Sequence, residues 1–301
     1  MDRRALLITA GICLLIITVT APGGEADQVG NSPEKGTDSQ KTALTAEDVL
    51  SFFSEGAPSC AAIRERLGKK SLPLLHSMLS DAKYMNAWNN IWLTIGILGG
   101  DENSTEVILN YIKRDDFRRD LKISQCVKLW MGKARAFRML GLLPGEEKQE
   151  ILRQVITDGE YLQQLTHEWI RQPLPSFANM PGRGEEITMI ARGAAAEGLL
   201  LMVTSRETAN KNLELVQSAR KKALEEYLDC VKRNAEANEL FRTEQTYGTY
   251  IWAIAQYNLM NEIGVEKLLD LTLQDSDLQQ YMRSKVEALK EEDGTKGILG
   301  R

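Results

Sequence analysis

Residues 90 to 158 carry one short phrase twice, and this repeat constrains the fold more than any single residue does. Gly96-Ile97-Leu98 runs through Gly100-Asp101-Glu102 to Val107-Ile108-Leu109, and Gly141-Leu142-Leu143 runs through Gly145-Glu146-Glu147 to Glu150-Ile151-Leu152. In each copy an apolar-striped helix ends, an acidic turn follows and a second apolar-striped helix begins. The offset is 45 residues from Gly96 to Gly141 and 43 from Leu109 to Leu152. A period of that length built from helix pairs predicts units that stack on one another, because one pair alone cannot bury its apolar face.

Helical signals continue on both sides of the repeat. Thr45-Ala46-Glu47-Asp48 offers an N-cap and acidic first-turn residues ahead of Val49, Leu50, Phe52 and Phe53. Pro73 stands where a first turn tolerates it, ahead of Leu74, Leu75, Met78 and Leu79. Trp88, Ile91, Trp92, Ile95 and Leu98 fall on one face, as do Val127, Trp130, Ala134, Phe137 and Gly141. Tyr161 to Arg171 adds a helix before Pro173, Pro175, Pro181, Gly182 and Gly184 break the pattern. Glu185 to Val203 then resumes with Ala191, Ala194, Ala195 and Gly198, small residues that let a neighbouring helix approach closely. Further helices are predicted over Arg206 to Lys232, Glu239 to Met260, Gly264 to Leu273 and Gln279 to Lys290. No segment alternates as a strand would, so the chain reads as all-α. Its 6% aromatic content and 8 prolines also argue against a turn-rich β fold.

The N-terminus points to export. Arg3 and Arg4 flank an uncharged apolar run from Ala5 to Val19, shorter than the roughly 20 residues a comfortable membrane span needs. Residues 1–26 are therefore expected to be a signal peptide, cleaved after Ala21 or Ala26, with an uncleaved anchor as the alternative. Ile12 before Cys13 does not suit a lipid attachment signal. Residues 27–43 are too polar to bury surface and read as a disordered linker, residues 44–290 as the helical-repeat domain, and residues 291–301 as a flexible tail. Cys60, Cys126 and Cys230 lie among helical stretches and are expected to be buried thiols; one disulfide plus a free thiol is the alternative.

The pairs Ile95-Gly96-Ile97-Leu98-Gly99-Gly100-Asp101 with Val107-Ile108-Leu109, and Leu140-Gly141-Leu142-Leu143 with Ile151-Leu152, resemble HEAT repeats of the armadillo-like class. The resemblance implies an α-solenoid of antiparallel helix pairs stacked in a right-handed superhelix. Units after Asp158 run nearer 60 residues, so the C-terminal half is expected to be irregular. Such a shape implies an extended surface for binding another macromolecule and no particular activity.

Motifs for chemistry are sparse. His76 and His167 are the two histidines; His167-Glu168-Trp169-Ile170-Arg171 opens like a helical zinc-protease motif but has Arg where the second ligand is required. Asp101-Glu102 and Glu146-Glu147 precede helix N-termini, where carboxylates offset the helix dipole. No cofactor or metal is expected. The formal net charge of −5 argues against a general nucleic-acid binder. Within that acidic chain, Lys113 to Arg138 is locally basic, and Arg118, Arg119, Lys122, Lys128 and Arg135 form the candidate partner-binding patch; a solvated helix face is the plainer reading. Trp88, Trp92, Trp130 and Trp252 read as core, Asn103-Ser104-Thr105 as a glycosylation sequon for a eukaryotic secretory route, and residues 173–184, with Phe177 and Met180, as a functional loop or a spacer.

Together these features predict an exported, periplasmic or extracellular, non-enzymatic scaffold or adaptor that binds another protein. The alternatives are a self-assembling envelope component, with homo-oligomers, and an enzyme or small-ligand protein using His167, Glu168 and Arg171 in the groove. The membrane is engaged only if the N-terminal segment stays uncleaved.

Overall fold

The computed structural model describes residues 44–295 apart from 56–57, 117–120, 122, 144, 172–182, 202–205 and 274–275. The segments read as signal peptide or anchor and as linker lie outside the described residues, as does most of the 173–184 loop. Among the described residues there are thirteen α-helices and no strand: α1 (Ala46–Ser54), α2 (Cys60–Arg66), α3 (Leu72–Ser80), α4 (Trp88–Ile97), α5 (Ser104–Lys113), α6 (Ile123–Leu140), α7 (Glu147–Thr157), α8 (Gly159–Arg171), α9 (Arg183–Leu201), α10 (Arg206–Lys232), α11 (Ala237–Ile263), α12 (Val265–Leu273) and α13 (Ser276–Glu292). Short 3₁₀ turns, Lys69–Ser71 and Ala82–Ala87, lead into α3 and α4. None of these helices is long and apolar enough to cross a membrane.

Local chemistry sets the helix starts. Thr45 caps α1 with a full capping box: its hydroxyl accepts from the Asp48 N–H at 3.2 Å, and the Asp48 carboxylate accepts from the Thr45 N–H at 2.8 Å. Ser59 caps α2 in one direction only, its hydroxyl accepting from the Ala62 N–H at 3.1 Å. The seven residues of α2 carry too little apolar pattern to be delimited in the sequence, which places Cys60 among helical stretches without giving that helix bounds.

The helices stack in two rows. One row runs α2, α4, α6, α9, α11, α13, each packed on the next; α3, α5 and α8 form a second row beside it, with α7 and α10 flanking α9. The repeated phrase marks the places where members of the first row meet. A side chain at Gly96 would meet Met139 Sδ at 2.9 Å and Leu142 Cδ1 at 3.4 Å, and one at Gly100 would meet Leu143 Cδ2 at 2.6 Å, so the first copy abuts the second. The second copy abuts a third occurrence, Gly198-Leu199-Leu200 in α9. A β-carbon on Gly141 would run into the Gly198 backbone, with the carbonyl carbon at 2.6 Å; one on Gly198 would lie 2.9 Å from the Arg138 carbonyl oxygen. Here α6 and α9 cross backbone against backbone. The sequence reading missed the third copy because α8 and the 172–182 segment stretch its spacing to 57 residues, from Gly141 to Gly198.

One short helix ties distant members of the row together. Four helix-to-helix steps separate α2 from α11, roughly 35 Å at ordinary interaxial spacing, while the nine residues of α12 span about 14 Å. Yet α12 packs on α11 and on α2, and its Thr272 hydroxyl accepts from Arg138 Nη2 of α6 at 3.1 Å. α12 therefore bridges α2, α6 and α11. One continuous core results, from Val49 in α1 to Leu289 in α13.

The chain beyond α13 belongs to the packed body as far as it is described. Asp293 accepts from Arg220 Nε of α10 at 2.8 Å and from the Tyr247 hydroxyl of α11 at 2.5 Å, and Thr295 is fully buried. The tail expected to fray from Glu291 is thus anchored through Thr295. A carboxylate held by a buried guanidinium and a phenol is a strong tie, and nothing in the polar sequence of residues 291–295 advertises it.

Candidate partner-binding surface

Of the five residues proposed as a basic patch, Arg118, Arg119 and Lys122 lie outside the described residues, as does the Lys128 side chain. Arg135 is half-buried on α6, near enough to Glu197 of α9 to help stabilise that carboxylate's charge. Other cations of the same stretch turn inward. Arg138 is buried, with its Nε 3.4 Å from Glu197 Oε2. Burial raises the Glu197 pKa, and Arg138, Arg135 and the Gln256 amide oppose the rise. Among the described cations of the stretch, Lys133 and Arg138 are thus interior while Lys113 is exposed.

Lys133 goes deepest. It is fully buried, and its ammonium donates to the Tyr111 carbonyl, to the Arg114 carbonyl at 2.8 Å and to Asp116 Oδ2 at 2.8 Å. The same ammonium lies 4.5 Å from the Tyr111 ring centre. Arg114 completes the group: its Nε donates to Asp116 Oδ1 at 2.6 Å, its Nη2 to the Leu79 carbonyl at 3.1 Å, and its guanidinium stacks 4.8 Å from the Trp88 ring centre. Desolvation lowers the Lys133 pKa to about 8, against the pull of Asp116. The group ties α3, α4, α5 and α6 together around one carboxylate. Its lysine has no access to a substrate, so its chemistry is that of a tie.

Lys148, on the acidic turn of the second copy, shows the same device without a close carboxylate. Its ammonium donates to the Leu143 carbonyl, satisfying an acceptor just beyond the end of α6, and its side chain is almost wholly covered. Desolvation lowers its pKa from 10.5 to about 8, opposed weakly by Glu147. A cation depressed in this way weakens the folded state fully below pH 8, and the penalty vanishes as pH rises through 10.5. In denaturant titrations, Lys148→Met is accordingly expected to lose about 1–2 kcal/mol relative to wild type between pH 8 and 10.5, a range already discounted for partial solvent screening. A difference independent of pH across that window would refute the burial of the charge.

His76, Ser104 and Asp101 meet, but not as a nucleophile and its base. The Ser104 hydroxyl is fully buried at the first turn of α5; it accepts from the Asp101 N–H at 2.9 Å and directs its single proton to Asp101 Oδ1 at 3.0 Å. His76 Nε2, 3.0 Å from the same oxygen, is then its donor. In a catalytic triad the imidazole takes the serine proton and the carboxylate orients the far ring nitrogen; here both partners converge on the serine. Burial lowers the His76 pKa, with Asp101 opposing. The arrangement fixes a helix start against α3. Asn103 of the sequon is exposed beside it. The side chains of His167, Glu168 and Arg171 lie outside the described residues. Cys60 and Cys230 are both free and buried, and burial beside Asp270 pushes the Cys60 thiol up to about 12. Among the described residues no group of three or more His, Cys, Asp or Glu is placed to hold a metal ion.

Leu268, Leu269 and Leu271 of α12 are buried in the common core. On the helix's other face Asp270 Oδ1 accepts from the Cys60 N–H of α2 at 2.7 Å, and Glu266 pairs with Arg64. Sequence reasoning found α12 as a helix but not its place, because the contact partner, α2, is some 200 residues away. No protein family, no curated protein and no solved structure matches this chain.

Proposed function

We propose that the chain is an exported helical-repeat scaffold or adaptor, non-enzymatic and HEAT-like, that binds another protein along its stacked helices. The observation that carries the reading is the register of the repeat: Gly96 of α4 lies against Met139 and Leu142, which flank Gly141, and Gly141 lies against Gly198 of α9. Arrays of this kind derive from neighbour-to-neighbour packing and serve chiefly as binding surfaces. The basic flank and short apolar run at the N-terminus support export. Arg118, Arg119, Lys122, Lys128 and Arg135 remain the proposed contact residues for an acidic partner surface.

The test is a cross-linking pull-down from the native compartment with the chain tagged at its C-terminus. A specific heterologous protein, recovered reproducibly and lost when Arg118, Arg119 and Lys122 are changed to Glu together, is the expected result. Recovery of the chain alone, folded and abundant, would overturn the adaptor reading in favour of self-assembly. N-terminal sequencing of the same material is expected to begin at Pro22 or Asp27; an intact Met1 would replace secretion with anchoring.

A further inference from the structure

The start of α5 divides its residues unevenly between fold and solvent. Asparagine is among the best N-cap residues, because its side-chain oxygen accepts from a first-turn N–H. Asn103 stands at the N-cap of α5, with φ of −89° and ψ of −17°, yet its side chain makes no such bond. Asp101 ties the turn instead: its Oδ1 accepts from the Asn103 N–H and from the Ser104 hydroxyl, each at 3.0 Å. Ser104 is fully buried and receives His76 Nε2 as well. Asn103 is exposed, Thr105 is half-exposed, and neither side chain enters that cluster. The fold thus uses the middle residue of Asn103-Ser104-Thr105 and leaves the side chains on either side of it out of the bonding.

Those two outer side chains are the ones that N-linked glycosylation reads. The asparagine amide is the acceptor, a hydroxyl must follow two residues on, and the residue between is free provided it is not proline. The chain has 13 asparagines, and Asn103 is the one with Ser or Thr two residues on. We infer that Asn103 carries an N-linked glycan, added as the chain enters an exporting compartment. This rests on the export reading above and adds a modification site to it. The step joins Asn103 Nδ2 to the anomeric carbon of an oligosaccharide carried on a lipid pyrophosphate. The bond from that carbon to the phosphate oxygen breaks, the lipid pyrophosphate leaves and the amide gives up one proton. Transfer comes before α5 closes, because in the fold Ser104 and Thr105 already lie in its first turn and the Asn103 N–H is held by Asp101. The finished fold accommodates the product, since Asn103 is in water and the Ser104 cluster is buried beside it. A glycan is bulky and solubilising, and here it keeps the α4–α5 turn out of partner contacts.

The experiment takes the full chain from the exported fraction of its native source and sequences its N-terminus. The same material is treated, in heavy-oxygen water, with the amidase that cuts asparagine-linked glycans. The expected result is a shift of the whole protein to lower mass, and a peptide in which residue 103 has become aspartate bearing a heavy oxygen. Among variants produced in the same way, Asn103→Gln and Thr105→Ala are each expected to abolish the shift, and Thr105→Ser to retain it. Asn103→Gln is expected to unfold at the same temperature as amidase-treated wild type, because no bond of the turn is lost. An unmodified Asn103 in the wild-type protein would overturn the inference, and this readout needs no variant to fold. A shift that persists in Asn103→Gln would overturn it too, by placing the glycan elsewhere. The two readings fail separately. A chain trimmed to Pro22 or Asp27 with a bare Asn103 removes the glycan and leaves export standing, whereas an intact Met1 with a glycan on Asn103 supports the site and replaces secretion with anchoring.

Discussion

Gly198→Ala is expected to destabilise the protein by about 4 kcal/mol, lowering the midpoint of thermal unfolding by about 10 °C for a body of this size. The added methyl group would sit 2.9 Å from the Arg138 carbonyl oxygen and 3.0 Å from that of Phe137, both backbone atoms of α6. Side chains give way to such intrusions by changing rotamer, but backbone yields only if the two helices move apart. Moving them apart opens gaps around Phe137, Leu140 and Leu199, all fully buried. Gly141→Ala meets the same crossing from the other side and is expected to cost as much. The internal control is Gly248, an exposed position in the interior of α11 with nothing within 4 Å of an added β-carbon. There Gly→Ala stabilises by about 0.5–1 kcal/mol through helix propensity alone. Thermal and denaturant unfolding of the three variants side by side is the test; a Gly198→Ala protein within 1 kcal/mol of wild type would mean that α6 and α9 do not cross at this point.

Asp116→Ala is the second large effect. It leaves the buried Lys133 ammonium with two carbonyls and no counter-charge, and frees Arg114 Nε at the same time. Breaking a buried pair from one side costs about 3–5 kcal/mol. Lys133→Met in the Asp116→Ala background removes the stranded charge and keeps the volume of the stem, so most of that loss, about 2–3 kcal/mol, is expected to return. The signature is thus non-additivity: a double variant more stable than Asp116→Ala alone. Denaturant midpoints for the four members of the cycle measure it. Simple additivity of the two substitutions would show that the ammonium and the carboxylate do not share one buried environment.

How far the fold was legible follows from which signals are local. The Thr45 box, the position of Pro73 and the apolar stripe of α4 each speak for themselves, and the helices they mark are where the sequence puts them. The small residues around Gly198 announce a close crossing, but only the folded chain reveals that the partner is the end of α6. Lys133 and Arg138 were read with their neighbours as a basic surface because charged side chains rarely enter a core. Their long aliphatic stems let them do so when a carboxylate and carbonyls wait at the far end. The Arg220–Asp293–Tyr247 tie and the docking of α12 on α2 join elements tens to hundreds of residues apart, and no local pattern encodes such a meeting. The candidate surface was correspondingly less legible than the fold: no local signal marked Lys133 and Arg138 as buried.

The contact between α2 and α12 also has a consequence for how the molecule comes into being. The first amide of α2 finds its carboxylate at a separation of 210 residues, from Cys60 to Asp270. At a synthesis rate of roughly 5–20 residues per second, that carboxylate is made roughly 10–40 s after the amide it satisfies. Throughout that interval the start of α2 stays open on the growing chain, its first amide satisfied by water in place of Asp270.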